Sequence, residues 1–153
     1  AHCDPVVFHQ VLLRGIRHAR RGLGHDGRLG IRLRLAQTGR RACVSCREGF
    51  EGNYIELVIE DSGSRLSEQQ IRGLGAAPPH DAAAGSALDD LTEIHALVHG
   101  QGGHLQIRQS EPAGTGLHIY FRAATPEQIE DRAARARSTV TRFPFIRLRE
   151  PRE

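Results

Sequence analysis

The apolar residues of this chain change period several times, and the order of those changes leaves few folds open. Asp4-Pro5 is a helix opening, an N-cap followed by proline at the first helical position. Phe8, Val11, Leu12, Gly15, Ile16 and Ala19 follow at helical spacing, and Gly22 to Gly24 closes the segment. Alternation then takes over. Leu29, Ile31, Leu33 and Leu35 form one predicted strand. Ala42, Val44 and Cys46 form a second after a Thr38-Gly39 turn, and Ile55, Leu57 and Ile59 form a third. Asp61 to Ser64 reads as a turn and Ser67 to Leu74 as a short helix. Gly75 to Gly85 reads as a small-residue loop. From Ser86 a helix carries Leu88, Leu91, Ile94, His95 and Val98 on one face. Strands at His104–Gln109 and Leu117–Arg122 follow. Thr125 to Gln128 is a capping box that opens a charged helix to about Arg137. The order predicts an α/β fold: a two-layer sandwich with a mixed or antiparallel sheet and helices on one face. Phe8, Leu12, Ile16, Leu91, Ile94 and Val98 are the expected core. Residues 1–124 form the expected domain. Residues 125–153 form a helix and an apolar tail (Phe143, Phe145, Ile146, Leu148) packed on the domain, a twin copy or a partner.

With 153 residues, 39% apolar and 25% charged, this is an ordinary globular composition. No apolar run spans a bilayer and no basic-then-apolar segment opens the chain, so the expected location is the cytoplasm, with no membrane contact by this segment. The net charge is +3, and every basic residue is arginine. Acidic residues are interspersed and aromatics are few, which disfavours a nucleic-acid surface. The absence of lysine leaves no ammonium to grip a phosphate.

Four stretches resemble, in order, the boxes of the histidine-kinase ATPase family, a branch of the superfamily that includes gyrase-type ATPases. Asp4 to Arg20 is similar to the helix D-P-x-x-L-x-Q-V-L-x-N-L-x-x-N-A. Glu60 to Leu66 is similar to D-x-G-x-G-I. His99 to Leu105 resembles H-G-G-x-L. Ser110 to Ile119 is similar to S-x-x-G-x-G-T-x-F-x-I. The resemblance implies the family's sandwich fold and an adenine pocket in which Asp61 accepts from the base amino group, Gly63 admits the base and Thr115 assists.

The departures from the pattern carry as much information. The two asparagines of the first helix, one of which holds Mg²⁺ in the family, are replaced by Arg14 and His18. Imidazole is a poor Mg²⁺ ligand and arginine sets a fixed positive charge there; the alternative is that both side chains face solvent. Arg65 stands where a second glycine belongs. The glycine-rich phosphate turn becomes Ser86-Ala87-Leu88-Asp89-Asp90-Leu91-Thr92, with two carboxylates at a helix start that would otherwise receive phosphate. One carboxylate about 4 Å from a phosphate costs about 1 kcal/mol in water and about 4 at an effective dielectric of 20. The paired phenylalanines expected between these boxes are not recognisable.

The preferred reading is therefore a degenerate domain of a bacterial two-component signalling protein, a regulatory or interaction module with weak or no ATP binding. No catalytic residue and no cofactor are expected, and the partners are other sensor-kinase domains, a response regulator or a second copy. The alternatives are a functional ATP/Mg-binding catalytic domain that phosphorylates histidine, and a nucleic-acid-binding module. No metal site is expected either. Cys43-Val44-Ser45-Cys46 has C-x-x-C spacing, but on a strand the two sulfurs point to opposite faces. His95 and His99 share a helix face, with no third ligand evident; the remaining histidines, His2, His9, His18, His25, His80, His104 and His118, are scattered.

Overall fold

The computed structural model describes residues 3–74, 87–109 and 113–138. The small-residue loop, the Ser86 cap and the apolar tail after residue 138 lie outside them. The chain divides into two compact units, Ala1–Ala123 and Ala124–Glu153.

In the first unit, α1 (Pro5–Gly22) leads into β1 (Leu29–Ala42) and β2 (Gly49–Asp61); α2 (Glu68–Gly73), α3 (Ala87–Gly100), β3 (His104–Gln109) and β4 (Thr115–Arg122) follow. The sheet order is β1-β2-β4-β3 and every pairing is antiparallel. The fold is the expected α/β sandwich. The second unit holds α4 (Pro126–Ser138), opened by the expected capping box: Gln128 N–H donates to Thr125 Oγ1, and Thr125 N–H to Gln128 Oε1.

The helix starts are chemically explicit. Asp4 accepts from Val6 N–H at 2.7 Å with Pro5 inside the first turn. Ser67 and Gln70 form a reciprocal capping box on α2. α1 lies on the sheet face bearing Leu57, Ile59, Leu117 and Ile119. A Cβ on Gly15 would sit 2.3 Å from Ile59 Cδ1, so glycine is what lets this helix approach the strand. The buried face of α1 is offset from the expected one. Val11, Gly15, His18 and Ala19 are its buried positions, while Phe8 and Leu12 are half-buried against the core and Ile16 is half-buried. Leu91, Ile94 and Val98 of α3 are fully buried, as expected.

The strands depart from the sequence reading in two places. Thr38-Gly39 is not a turn: β1 continues to Ala42, its pairing with β2 shifted between Thr38 and Arg41 by an irregularity that absorbs the extra residues. Ala42 to Cys46 is not a separate strand: residues 44–46 form a turn. There Cys43 N–H donates to Glu48 C=O at 2.9 Å, Arg47 N–H to Cys43 C=O at 3.1 Å, and Arg47 takes φ 65°. Val44 N–H also reaches Leu105 C=O at 2.8 Å, which seats this turn on the start of β3. The face argument against a shared ligand at Cys43 and Cys46 therefore does not apply.

Like β3, β1 is an edge strand. Its Leu29, Ile31, Leu33 and Leu35 pair across to Asp61, Ile59, Leu57 and Ile55 but stay 37 to 71% exposed.

Candidate functional site

The end of the sheet where β2 stops collects the residues that the sequence singled out. Asp61 is buried, and its Oδ1 accepts from Gly63 N–H at 2.7 Å, a local turn. A Cβ on Gly63 would lie 2.2 Å from Gly22 C=O, so the turn is pressed against the end of α1, and Ser64 N–H donates to the same carbonyl. Thr115 opens β4 fully buried, and its hydroxyl donates to Ser64 C=O at 3.3 Å. The structure thus brings Asp61, Gly63 and Thr115 together, with the Asp61 carboxylate and the Thr115 hydroxyl both engaged within the chain. Arg65 is exposed.

Arg14 and His18 lie on α1. His18 is buried, and Arg14 pairs with Glu93 of α3, so neither simply faces solvent. The carboxylates at the start of α3 also behave differently from the sequence reading. Asp90 is 1% exposed, and Arg17 donates to its Oδ1 through Nε at 2.8 Å and again through Nη2. Arg21 Nη1 stands 2.9 Å from Oδ2, an ion-pair separation without hydrogen-bond alignment. The hydrogen bond and charge of Asp90 push the Arg17 guanidinium further up. Asp90 is therefore no unopposed negative charge. It is one half of a clamp that draws three arginines of α1 onto α3, with Arg14 on Glu93 and Arg17 and Arg21 on Asp90.

A polar network crosses the opposite face of the sheet. Glu56 of β2 is 1% exposed and accepts from Arg34 Nε at 2.6 Å, His118 Nδ1 at 2.8 Å and Tyr120 Oη at 2.8 Å. Burial alone would raise its carboxyl, but these donors outweigh burial and hold it at about 2. Burial and the Glu56 charge push Tyr120 to about 12, and burial lowers His118 against the pull of Glu56.

Sequence reasoning missed one convergence. Cys43 and Cys46 of the β1–β2 turn, His99 of the last turn of α3 and His104 of the first position of β3 each place one ligand atom within 4.8 Å of the others. Cys43 Sγ stands 3.5 Å from His99 Nε2 and accepts from Leu105 N–H at 3.3 Å. Burial pushes the Cys43 thiol up, but Ser45 Oγ and the amides of Cys46, Leu105 and Ser45 outweigh it and bring the thiol to about 5. Burial raises Cys46. The available signal was spacing: C-x₂-C followed by His99-x₄-His104 falls in the C-x₂₋₄-C … H-x₃₋₅-H range, with a long stretch between the pairs.

A solved structure shares this fold. A mycobacterial sensor histidine kinase, MprB, matches it with a TM-score of 0.50 and 22% identity over 79% of this chain and 74% of that one. No protein-family model matches the sequence, and no curated protein matches it. Among the described residues no helix is long and apolar enough to cross a membrane.

Proposed function

We propose that this chain is a degenerate histidine-kinase ATPase-like domain serving as a regulatory or protein-interaction module of a two-component signalling protein, with other sensor-kinase domains or a response regulator as partners. The α1–α3 clamp is the observation that carries the reading. Phosphoryl transfer needs cationic groups and a metal aimed at phosphate. Here Arg17 and Arg21 are committed to Asp90 and Arg14 to Glu93, on the two helices whose counterparts in the resembled family handle Mg²⁺ and phosphate. Asp61 and Thr115 remain adjacent, which supports at most a residual site for the base.

Titration calorimetry tests this. ATP is expected to bind more weakly than about 1 mM, under about 4 kcal/mol, with no gain from Mg²⁺. Residual binding of adenosine is expected to match that of ATP and to vanish in Asp61→Ala. Micromolar, Mg²⁺-dependent ATP binding would overturn the reading in favour of a catalytic domain.

A further inference from the structure

We propose that Cys43, Cys46, His99 and His104 form a closed tetrahedral Zn²⁺ site that staples the β1–β2 turn to α3 and β3.

Three independent observations meet there. The first is the donor set. Two thiols and two imidazoles are the borderline-soft ligands that select Zn²⁺ over the hard cations, and two thiolates neutralise the dication on loss of two protons. The second is the geometry. Ligand atoms of tetrahedral zinc bonded at 2.0–2.3 Å lie about 3.3–3.8 Å apart. The Cys43 Sγ to His99 Nε2 separation of 3.5 Å already matches, and the whole set falls within 4.8 Å. The third is an unexplained polar atom. His104 is 8% exposed, and its buried Nδ1 has no hydrogen-bond partner. Leaving such a nitrogen unpaired costs about 1–3 kcal/mol, and direct coordination of that nitrogen by a cation would supply the missing partner.

The surroundings are built for ligation. The Leu105 amide donates to Cys43 Sγ at 3.3 Å, the kind of outer-shell contact that steadies a metal thiolate. The left-handed Arg47 and the Cys43–Glu48 hydrogen bond close the turn that holds the two cysteines near each other. Phe50 stacks on the His104 ring at 4.5 Å and orients it. With four protein ligands the site has no open position, so its role is structural rather than catalytic. His95 touches the His99 ring at 4.5 Å but stands outside the set. The site shares no residue with the Asp61 end.

The full chain, purified under reducing conditions with Zn²⁺ present and then desalted, should carry one equivalent of zinc by elemental analysis. Co²⁺ in its place should give tetrahedral ligand-field bands and a thiolate-to-cobalt charge-transfer band. Cys46→Ser and His99→Asn should weaken Zn²⁺ binding by at least about a hundredfold, and His95→Asn and Cys3→Ser should leave it unchanged. If the variants fail to fold, the Co²⁺ spectrum of the unaltered chain decides alone. The proposal is overturned by substoichiometric zinc, by zinc content that survives Cys46→Ser, by a cobalt spectrum without thiolate bands, or by recovery of a metal-free Cys43–Cys46 disulfide from reduced material.

Discussion

At the end of the sheet where β2 stops, polar groups arrive already partnered. Asp61 turns back on Gly63, Thr115 on Ser64, and Arg17 and Arg21 on Asp90. At the other end, where β1 turns into β2, Cys43, Cys46, His99 and His104 converge, and one buried imidazole nitrogen has no partner. The first end gathers Asp61 and Thr115 from stretches that resemble histidine-kinase ATPase boxes, with their polar groups already engaged; the second joins the Cys43–Cys46 turn, outside those stretches, to His99 and His104, inside one of them, and holds the reactive donors. The engaged polar groups and the available donors lie at opposite ends of one sheet.

The largest test of that contrast is removal of metal. A thiol-compatible chelator should lower the melting temperature by roughly 10 °C. A site saturated a thousandfold above its dissociation constant contributes about 4 kcal/mol, and each kcal/mol shifts the melting temperature of a chain of this size by about 2–4 °C. ATP with Mg²⁺ should not shift it. A shift with nucleotide and none with chelator would reverse the assignment of the two ends.

The middle of the sheet supplies the control. Glu56 has its carboxyl held at about 2 by Arg34, His118 and Tyr120, below its usual 4.5. A depressed carboxyl stabilises the fold above its unfolded value, so on the order of 3 kcal/mol is present above pH 4.5 and is lost as pH falls through about 2. His118, lowered by burial, works in the same direction from higher pH: the unfolded ring gains its proton first, so stability declines as pH falls through 6.5. Acid unfolding of Glu56→Gln should lose the lower of these two steps and keep the response to chelator. Loss of both would mean that the middle and the cysteine end are one cooperative unit.

The smallest expected effect is at the clamp. Arg17 and Arg21 are partly solvated, so Asp90→Asn should cost only about 1–2 kcal/mol in chemical denaturation. It should also release guanidinium groups and raise affinity for inorganic triphosphate about tenfold. Unchanged triphosphate binding would mean that the clamp is incidental to the loss of nucleotide.

Much of the fold was legible because it is written locally. The caps at Asp4, Ser67 and Thr125 and the apolar face of Leu91, Ile94 and Val98 each follow from residues a few positions apart. The errors share a different cause. Thr38-Gly39 has turn chemistry, but pairing with β2 carries β1 through it. Ala42, Val44 and Cys46 alternate like a strand, but a hydrogen bond to Leu105, far along the chain, makes the segment a turn. The site was misread for the same reason. Asp90 looked like a repulsive charge because its counterions, Arg17 and Arg21, lie 73 and 69 residues away; the cysteines looked divergent because their segment reads as a strand, and His99 and His104 are more than fifty residues distant.

α3 belongs to both ends. Asp90 in its first turn is held by α1, and His99 in its last turn lies against Cys43, about 14 Å along the axis. Helices ordinarily fray from their termini, and amide hydrogens there exchange soonest. A helix tied by side chains at both extremes has no free terminus from which to open. Its amides from Leu91 to Val98 should exchange only with global unfolding, making α3 the slowest-exchanging helix of the first unit and the clock against which every looser segment is timed.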